Sequence, residues 1–228
     1  MEPNESSSVT VPNPPYTKAV AETRSRLLVA GLFVLLLLVI DQCIKYAVKT
    51  NMMLGESIHV TDWFYIYFTE NAGMAFGWEV FSKAFLSIFR ILASGVLIWF
   101  IYLIAKSKYS MGFLLCMSAI LAGALGNIID SIFYGMIFSH SEGQVATLVP
   151  LGQGYAGWLH GRVVDMFYFP IIHTTWPEWV PLKGGQELIF FRPIFNFADA
   201  CISVGVFVLL IFYARTFNQM IGGKEKRG

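Results

Sequence analysis

Charge is scarce in this sequence. Only 14% of its 228 residues are Asp, Glu, Lys or Arg, against about 25% in soluble globular domains. The net charge is +1 and no basic stripe is visible, so a nucleic-acid partner is not expected. Cysteine is equally sparse. Cys43, Cys116 and Cys201 each lie in or beside a separate apolar run, which argues against a disulfide framework and for small side chains packed in helices. Histidine is limited to the scattered His59, His140, His160 and His173. There is no H-E-x-x-H, no closely spaced Cys/His set, no G-x-S-x-G elbow, no P-loop and no G-x-G-x-x-G. These absences remove zinc, serine-nucleophile and nucleotide chemistry from consideration, and no metal or cofactor is expected.

What fills the chain instead is apolar. Hydrophobic residues make up 56% of it, 20 residues are Phe, and the mean hydropathy is +0.59. A membrane-spanning helix needs about 20 largely apolar residues. Four runs qualify: 27–48, 84–105 (with Arg90 inside it), 111–138 and 194–214. The first has a long preceding segment and no small-residue cleavage site after its apolar core, so it is expected to be a permanent helix rather than a cleaved leader. Residues 1–23, rich in Ser, Pro and Asn, read as a disordered tail, 24–216 as the membrane domain and 217–228 as a C-terminal tail. The row Ser118, Ala122, Gly126, widened by Ala119 and Gly123, predicts close helix packing.

Lys and Arg set the orientation. One side would hold nine: Lys18, Arg24, Arg26, Lys106, Lys108, Arg215, Lys224, Lys226 and Arg227. The other would hold six in much longer loops: Lys45, Lys49, Lys83, Arg162, Lys183 and Arg192. Both termini are therefore expected in the cytoplasm, with 49–83 and 139–193 outside. In the first outer loop, Trp63, Tyr65 and Tyr67 alternate with Phe64, Ile66 and Phe68, which predicts an aromatic strand ending in a turn at 70–73. Residues 162–169 read as a second strand beside it.

In that topology the unusual polar residues share one level. The chain has five aspartates, and Asp41, Asp130, Asp165 and Asp199 all fall near the outer boundary. Lys45, Asn71, Asn127 and Asn196 join them. Each has a plainer explanation. Asp41 and Lys45 are spaced as a helix-surface ion pair, Asn127 and Asp130 as interhelical hydrogen-bonding groups. Asp199 suits the positive end of the fourth helix, with Pro193 near its first turn, and Asp165 could be a solvated loop charge. Yet a charged group within a span costs at least about 2.5–3.5 kcal/mol, so ionisable residues there are functional candidates. Two carboxylates at one depth suggest a dyad that shares a proton and activates water. Residue chemistry alone leaves a membrane aspartyl hydrolase and a small proton-coupled transporter open, the latter motivated by Lys45, Arg90 and the aspartates. Four spans without an internal repeat would make an atypical transporter.

Five stretches in order carry a resemblance: DQCIK (41–45), NAGMAFG (71–77), GALGNIID (123–130), GRVVDMF (161–167) and FNFADACI (195–202). Together they resemble lipoprotein signal peptidase, the signal peptidase II family, over about 26–214. The resemblance implies a four-helix membrane core with a small extracytoplasmic β-cradle, in the bacterial inner membrane. It implies an aspartic endopeptidase that cuts diacylglyceryl-modified prolipoproteins just before the lipidated cysteine. Membrane lipid and a globomycin-type inhibitor are the other implied partners. Asp165 and Asp199 match the catalytic aspartates. Asn71, Gly73, Asn127, Asp130, Arg162 and Asn196 are the implied substrate-binding or dyad-steadying positions, and Asp41 with Lys45 a supporting pair. Two departures stand out. Ser131 occupies the place of an Arg that usually follows G-N-x-x-D, with Arg162 as the expected replacement charge. And 34 residues (131–164), rich in Gly and polar side chains, separate Asp130 from Asp165 where the family has a short link; they read as an outer loop.

Overall fold

A computed structural model describes residues 15–72, 83–107, 109–190 and 193–222. Four helices are long and apolar enough to cross a membrane: Thr17–Asn51, Lys83–Lys106, Met111–Ile137 and Phe197–Ile221. They correspond to the four expected runs, with two corrections at their ends. Helix α1 (Pro15–Asn51) takes in residues 15–23, for which composition predicts a disordered tail. At 1.5 Å per residue its 37 residues span about 55 Å, well beyond the roughly 30 Å of a hydrocarbon core. The fourth helix starts later than expected, because Ile194 and Phe195 pair as a strand.

Helix α2 (Lys83–Lys106) returns antiparallel to α1. Helix α3 (Met111–Ile129) passes through a π turn (Asp130–Tyr134) into the short α4 (Gly135–Ile137). The last span comprises α5 (Phe197–Val208), a second π turn (Leu209–Tyr213) and α6 (Ala214–Ile221). The third span is the hub: 61% of its most apolar window is buried, against 11–22% in the others. The outward faces of α1 and α2 present Leu28, Leu32, Leu36, Phe89, Leu92 and Trp99, a surface suited to lipid.

The small-residue row on α3 receives α5, as its spacing predicts. A Cβ at Gly123 would fall on the carbonyl oxygen of Ala198, and one at Gly126 would come 2.5 Å from Asp41 Oδ2. Close approach of α5 and of Asp41 thus requires glycine at both places. Further along the same contact, Cys116 Sγ donates to the Gly205 carbonyl at 3.1 Å. All three cysteines are free.

The chain between α1 and α2, and between α4 and α5, meets at one end of the bundle. There β1 (Ser57–Thr61), β2 (Phe64–Asn71), β3 (Val163–Tyr168) and β6 (Ile194–Phe195) form an antiparallel sheet in the order β1-β2-β3-β6. A separate hairpin joins β4 (Ile172–Thr175) to β5 (Glu187–Phe190). Both expected strands are present, but β2 continues through Glu70 and Asn71, where the sequence predicts a turn. Residue 73 lies outside the described residues. Alternation divides the faces. Val164 and Met166 pack with Phe68, Val48, Met52 and Phe138. Phe167 and Phe169 share the other face with Asp165 and meet Phe195, the first edge-on at a centroid distance of 6.0 Å and the second stacked at 5.7 Å.

The fit of α3 against α5 generates a paired prediction. Gly123→Ala should lower stability by about 1–3 kcal/mol, the usual cost of overpacking, seen as a reduced melting temperature in detergent. Gly95→Ala should not, because nothing lies within 4 Å of a Cβ there.

Candidate active site

The site begins with a stripe on α1. Asp41, Lys45 and Lys49 recur every four residues and so share one face. Lys45 is wholly buried. Its ammonium lies 2.9 Å from Asp41 Oδ2 and 2.9 Å from Asp130 Oδ2, and donates to Asn127 Oδ1 at 3.0 Å. The expected Asp41–Lys45 pair therefore exists, but as the core of an interhelical cluster rather than a surface bridge. Two carboxylates face one ammonium, and N–H donors complete their shells. Ala198 N donates to Asp41 Oδ1 at 2.9 Å and Val164 N to Asp130 Oδ2 at 3.3 Å. Gln42 Nε2 donates to both carboxylates, at 3.1 and 3.0 Å.

The position of those two backbone donors in the chain gives them a second role. Ala198 precedes Asp199, and Val164 precedes Asp165. The buried cluster thus grips the chain one residue before each candidate dyad member. The sheet does the rest. Phe167 pairs with Phe195, so β6 delivers the chain to Asn196 alongside Asp165. Asn196 then caps α5: its Oδ1 accepts from Asp199 N at 2.9 Å, while Asp199 Oδ2 accepts from Asn196 N at 3.4 Å. This is a capping box, and it accounts for the i,i+3 spacing of the two residues.

The same Asn196 joins the carboxyls. Its Nδ2 donates to Asp165 Oδ1 at 2.6 Å and to Asn127 Oδ1 at 3.1 Å. Asn127 Nδ2 donates to Asp199 Oδ1 at 2.8 Å. The orientation of Asn127 is set by Lys45, which has only donors to offer. Asn127 must turn its oxygen to Lys45 and its NH2 to Asp199. Asn71, at the end of β2, hydrogen-bonds the Asp165 side chain.

Asp165 is buried, not the solvated loop charge of the plainer reading, whereas Asp199 is half-buried. Burial pushes the Asp165 carboxyl up to about 7, and the neighbouring Asp199 adds to the rise. Hydrogen bonds from Asn196 and Asn71 and the charge of Lys45 oppose it. A π turn at Asp130–Tyr134 sits where the third span meets the sheet, a frequent location for functional residues. Within it Ser131 is buried and donates to the Asn127 carbonyl at 2.9 Å.

Eight of the ten residues singled out from the sequence therefore share one network: Asp41, Lys45, Asn71, Asn127, Asp130, Asp165, Asn196 and Asp199. Gly73 lies outside the described residues. Arg162 follows Gly161, whose N–H donates to the Ser131 carbonyl at 2.9 Å, but its side chain lies outside this network. Its Nη1 lies 3.4 Å from Glu70 and 3.2 Å from Glu142, so its charge has two acidic partners of its own. Sequence reasoning missed Gln42, Lys49, Glu70 and Ser141. The four-residue spacing from Lys45 was a usable signal for Lys49. Among the described residues, no group of three or more His, Cys, Asp or Glu side chains could hold a metal ion.

The cluster generates a stability prediction. Lys45→Met would leave Asp41 and Asp130 buried without a countercharge, and should cost about 3–5 kcal/mol. Equilibrium unfolding in detergent measures it.

Comparison with known proteins agrees with this architecture. A family model described as signal peptidase (SPase) II matches residues 33–215. A protein named lipoprotein signal peptidase from Porphyromonas gingivalis is 55% identical over 198 residues, covering 86% of this chain and 88% of its own. One of the same name from Amoebophilus asiaticus is 38% identical, covering 82% and 78%. A solved bacterial membrane enzyme, determined by the in meso method at 1.9 Å, shares the fold with a TM-score of 0.54 at 24% identity, covering 80% of this chain and 90% of its own. None of these matches supports the transporter alternative. The chain belongs to the signal peptidase II family.

Proposed function

We propose that this protein is an aspartic endopeptidase that removes the signal peptide from diacylglyceryl-modified prolipoproteins, using Asp165 and Asp199 as a dyad. Its family and the names of its relatives support the processing role. The observation that carries the aspartic mechanism is the pair of carboxyls bound through Asn196, one of them pushed up to about 7.

In this mechanism the pair holds one proton. The ionised carboxylate takes a proton from water, which attacks the scissile carbonyl. The protonated partner donates to the carbonyl oxygen as the tetrahedral intermediate forms, and the departing amine is then protonated. Asn196 and Asn127 hold both carboxyls with neutral amides, so they fix geometry without supplying a competing proton. The half-buried Asp199, exposed Asn71 and the aromatic face of β3 leave one side for a peptide. The scissile bond lies beside a lipidated cysteine, which accounts for a site at the junction of helices and sheet. Both termini lie in the cytoplasm and the site at the outer face of the inner membrane. Membrane lipid surrounds the apolar helix faces, and a globomycin-type inhibitor would occupy the dyad.

Two outcomes test this. Asp165→Asn and Asp199→Asn should each lower cleavage of a diacylglyceryl-modified precursor at least about 1,000-fold, in the range of lost general acid–base catalysis, while remaining folded. Cleavage at the parent rate by either variant contradicts the dyad. Activity should also fall as pH rises through about 7, where the raised Asp165 carboxyl loses its proton. Asn71→Ala removes a donor that favours the ionised form, so it should move that alkaline limb to higher pH. A limb that stays in place or moves down would reject the assignment.

A further inference from the structure

The 34-residue segment between Asp130 and Asp165 contributes side chains to a second buried ionic cluster, centred on Lys49 and Glu70. The Glu70 carboxylate is almost fully buried. It pairs with Lys49, accepts from Ser141 Oγ at 3.0 Å and lies 3.4 Å from Arg162 Nη1. Lys49 is wholly buried, donates to Ser141 Oγ at 3.0 Å, and sits 4.9 Å from the Tyr155 ring centroid. Tyr155 in turn accepts from Arg162 N at 2.6 Å. Ser141, Tyr155 and Arg162 all come from this segment. Its backbone is pinned as well: Leu54 N donates to the Ser141 carbonyl at 3.1 Å, and Gly161 N to the Ser131 carbonyl at 2.9 Å.

Glu70 directly precedes Asn71. By alternation its side chain leaves the opposite face of β2 from the Asn71 amide. Asn71 pairs with Val163 and Glu70 with Val164, the last two register pairs of the β2–β3 ladder. A strand end frays unless something holds it. Here the grip falls on Glu70, one residue from the amide that meets Asp165. A buried ion pair is weak evidence for net stability, since an apolar replacement often serves as well, but it can enforce one geometry. A fully partnered network such as this one rigidifies its surroundings.

We propose that the 139–162 segment is a brace for the active site: through Ser141 and Arg162 it clamps Glu70 on Lys49, and so positions Asn71 against Asp165. Glu70 is a positioning residue, acting through Asn71. The inference rests on the reading of Asp165 as half of the dyad.

The test is a mutant cycle on steady-state cleavage of a diacylglyceryl-modified prolipoprotein in detergent. Glu70→Gln should lower the turnover rate about 10-fold, below the roughly 100-fold that a 1 Å misplacement can cost, with KM changed less than about 2-fold. Ser141→Ala keeps the ion pair but removes the hydroxyl that links the segment to both of its members, and should give a smaller loss of the same kind. Ser141→Thr, which retains the hydroxyl, should restore activity. In an Asn71→Ala background, Glu70→Gln and Ser141→Ala should each add less than about 2-fold, because residues that act through one another are not additive. Unchanged turnover in the single variants, or full additivity in the Asn71→Ala background, overturns the brace. If Glu70→Gln does not fold, the Ser141 variants decide. Asp165→Asn in the same assay separates the two claims: its inactivity beside fully active Glu70 and Ser141 variants rejects the brace alone, whereas its normal activity rejects the dyad.

Discussion

One buried ammonium organises the polar end of this bundle. Lys45 stands between Asp41 and Asp130 with no exposure to solvent. It can do so only because both carboxylates come from elements that must then stay in contact, α1 and the π turn after α3. The carboxylates are not fully satisfied by Lys45, so each recruits a backbone N–H, and those belong to the residues before Asp199 and Asp165. Lys45 also dictates which way Asn127 faces. Burial of one cation thereby sets the backbone beside both dyad candidates and the polarity of an amide between them. The arrangement holds because breaking a buried ion cluster costs more than the cluster contributes.

The opposing costs are those of the membrane boundary. Carboxylates at this depth need hydrogen bonds or a countercharge. The four aspartates divide the two remedies between them. Asp41 and Asp130 are met by charge. Asp165 and Asp199 are met chiefly by the amides of Asn71, Asn127 and Asn196. Amide partners satisfy a carboxyl without a fixed countercharge beside it, whereas Lys45 ties Asp41 and Asp130 into one ionic cluster.

Much of this is legible in the sequence. Long apolar runs announce spans because no water is available to lone backbone groups in lipid, and aspartates near their ends stand out against so little charge. The alternating aromatics of β2 and the small-residue row of α3 carry period information that survives folding. Other features depend on partners far along the chain. Ile194 and Phe195 resemble the start of a helix by hydropathy, but β3 offers them a ladder, and pairing overrides composition. Glu70 reads as a turn residue in isolation, and only the fold brings its carboxylate to Lys49 and Ser141, 21 and 71 positions away. Arg162 reads as a replacement for the charge missing at Ser131, and only the fold shows that Glu70 and Glu142 are its ionic partners. Residues 15–23 are polar for a span, but they continue a helix whose apolar stretch is already formed, and propagation is far easier than nucleation.

The central claim is that Asp165 keeps a proton near neutrality because it is buried beside Asp199. Infrared difference spectroscopy of the purified protein across a pH titration tests it directly. A protonated-carboxyl band should be lost as pH rises through about 7, be absent from Asp165→Asn, and titrate at lower pH in Asp199→Asn. A band absent at about pH 6, below that value, or one that ignores the Asp199 substitution, would contradict the account.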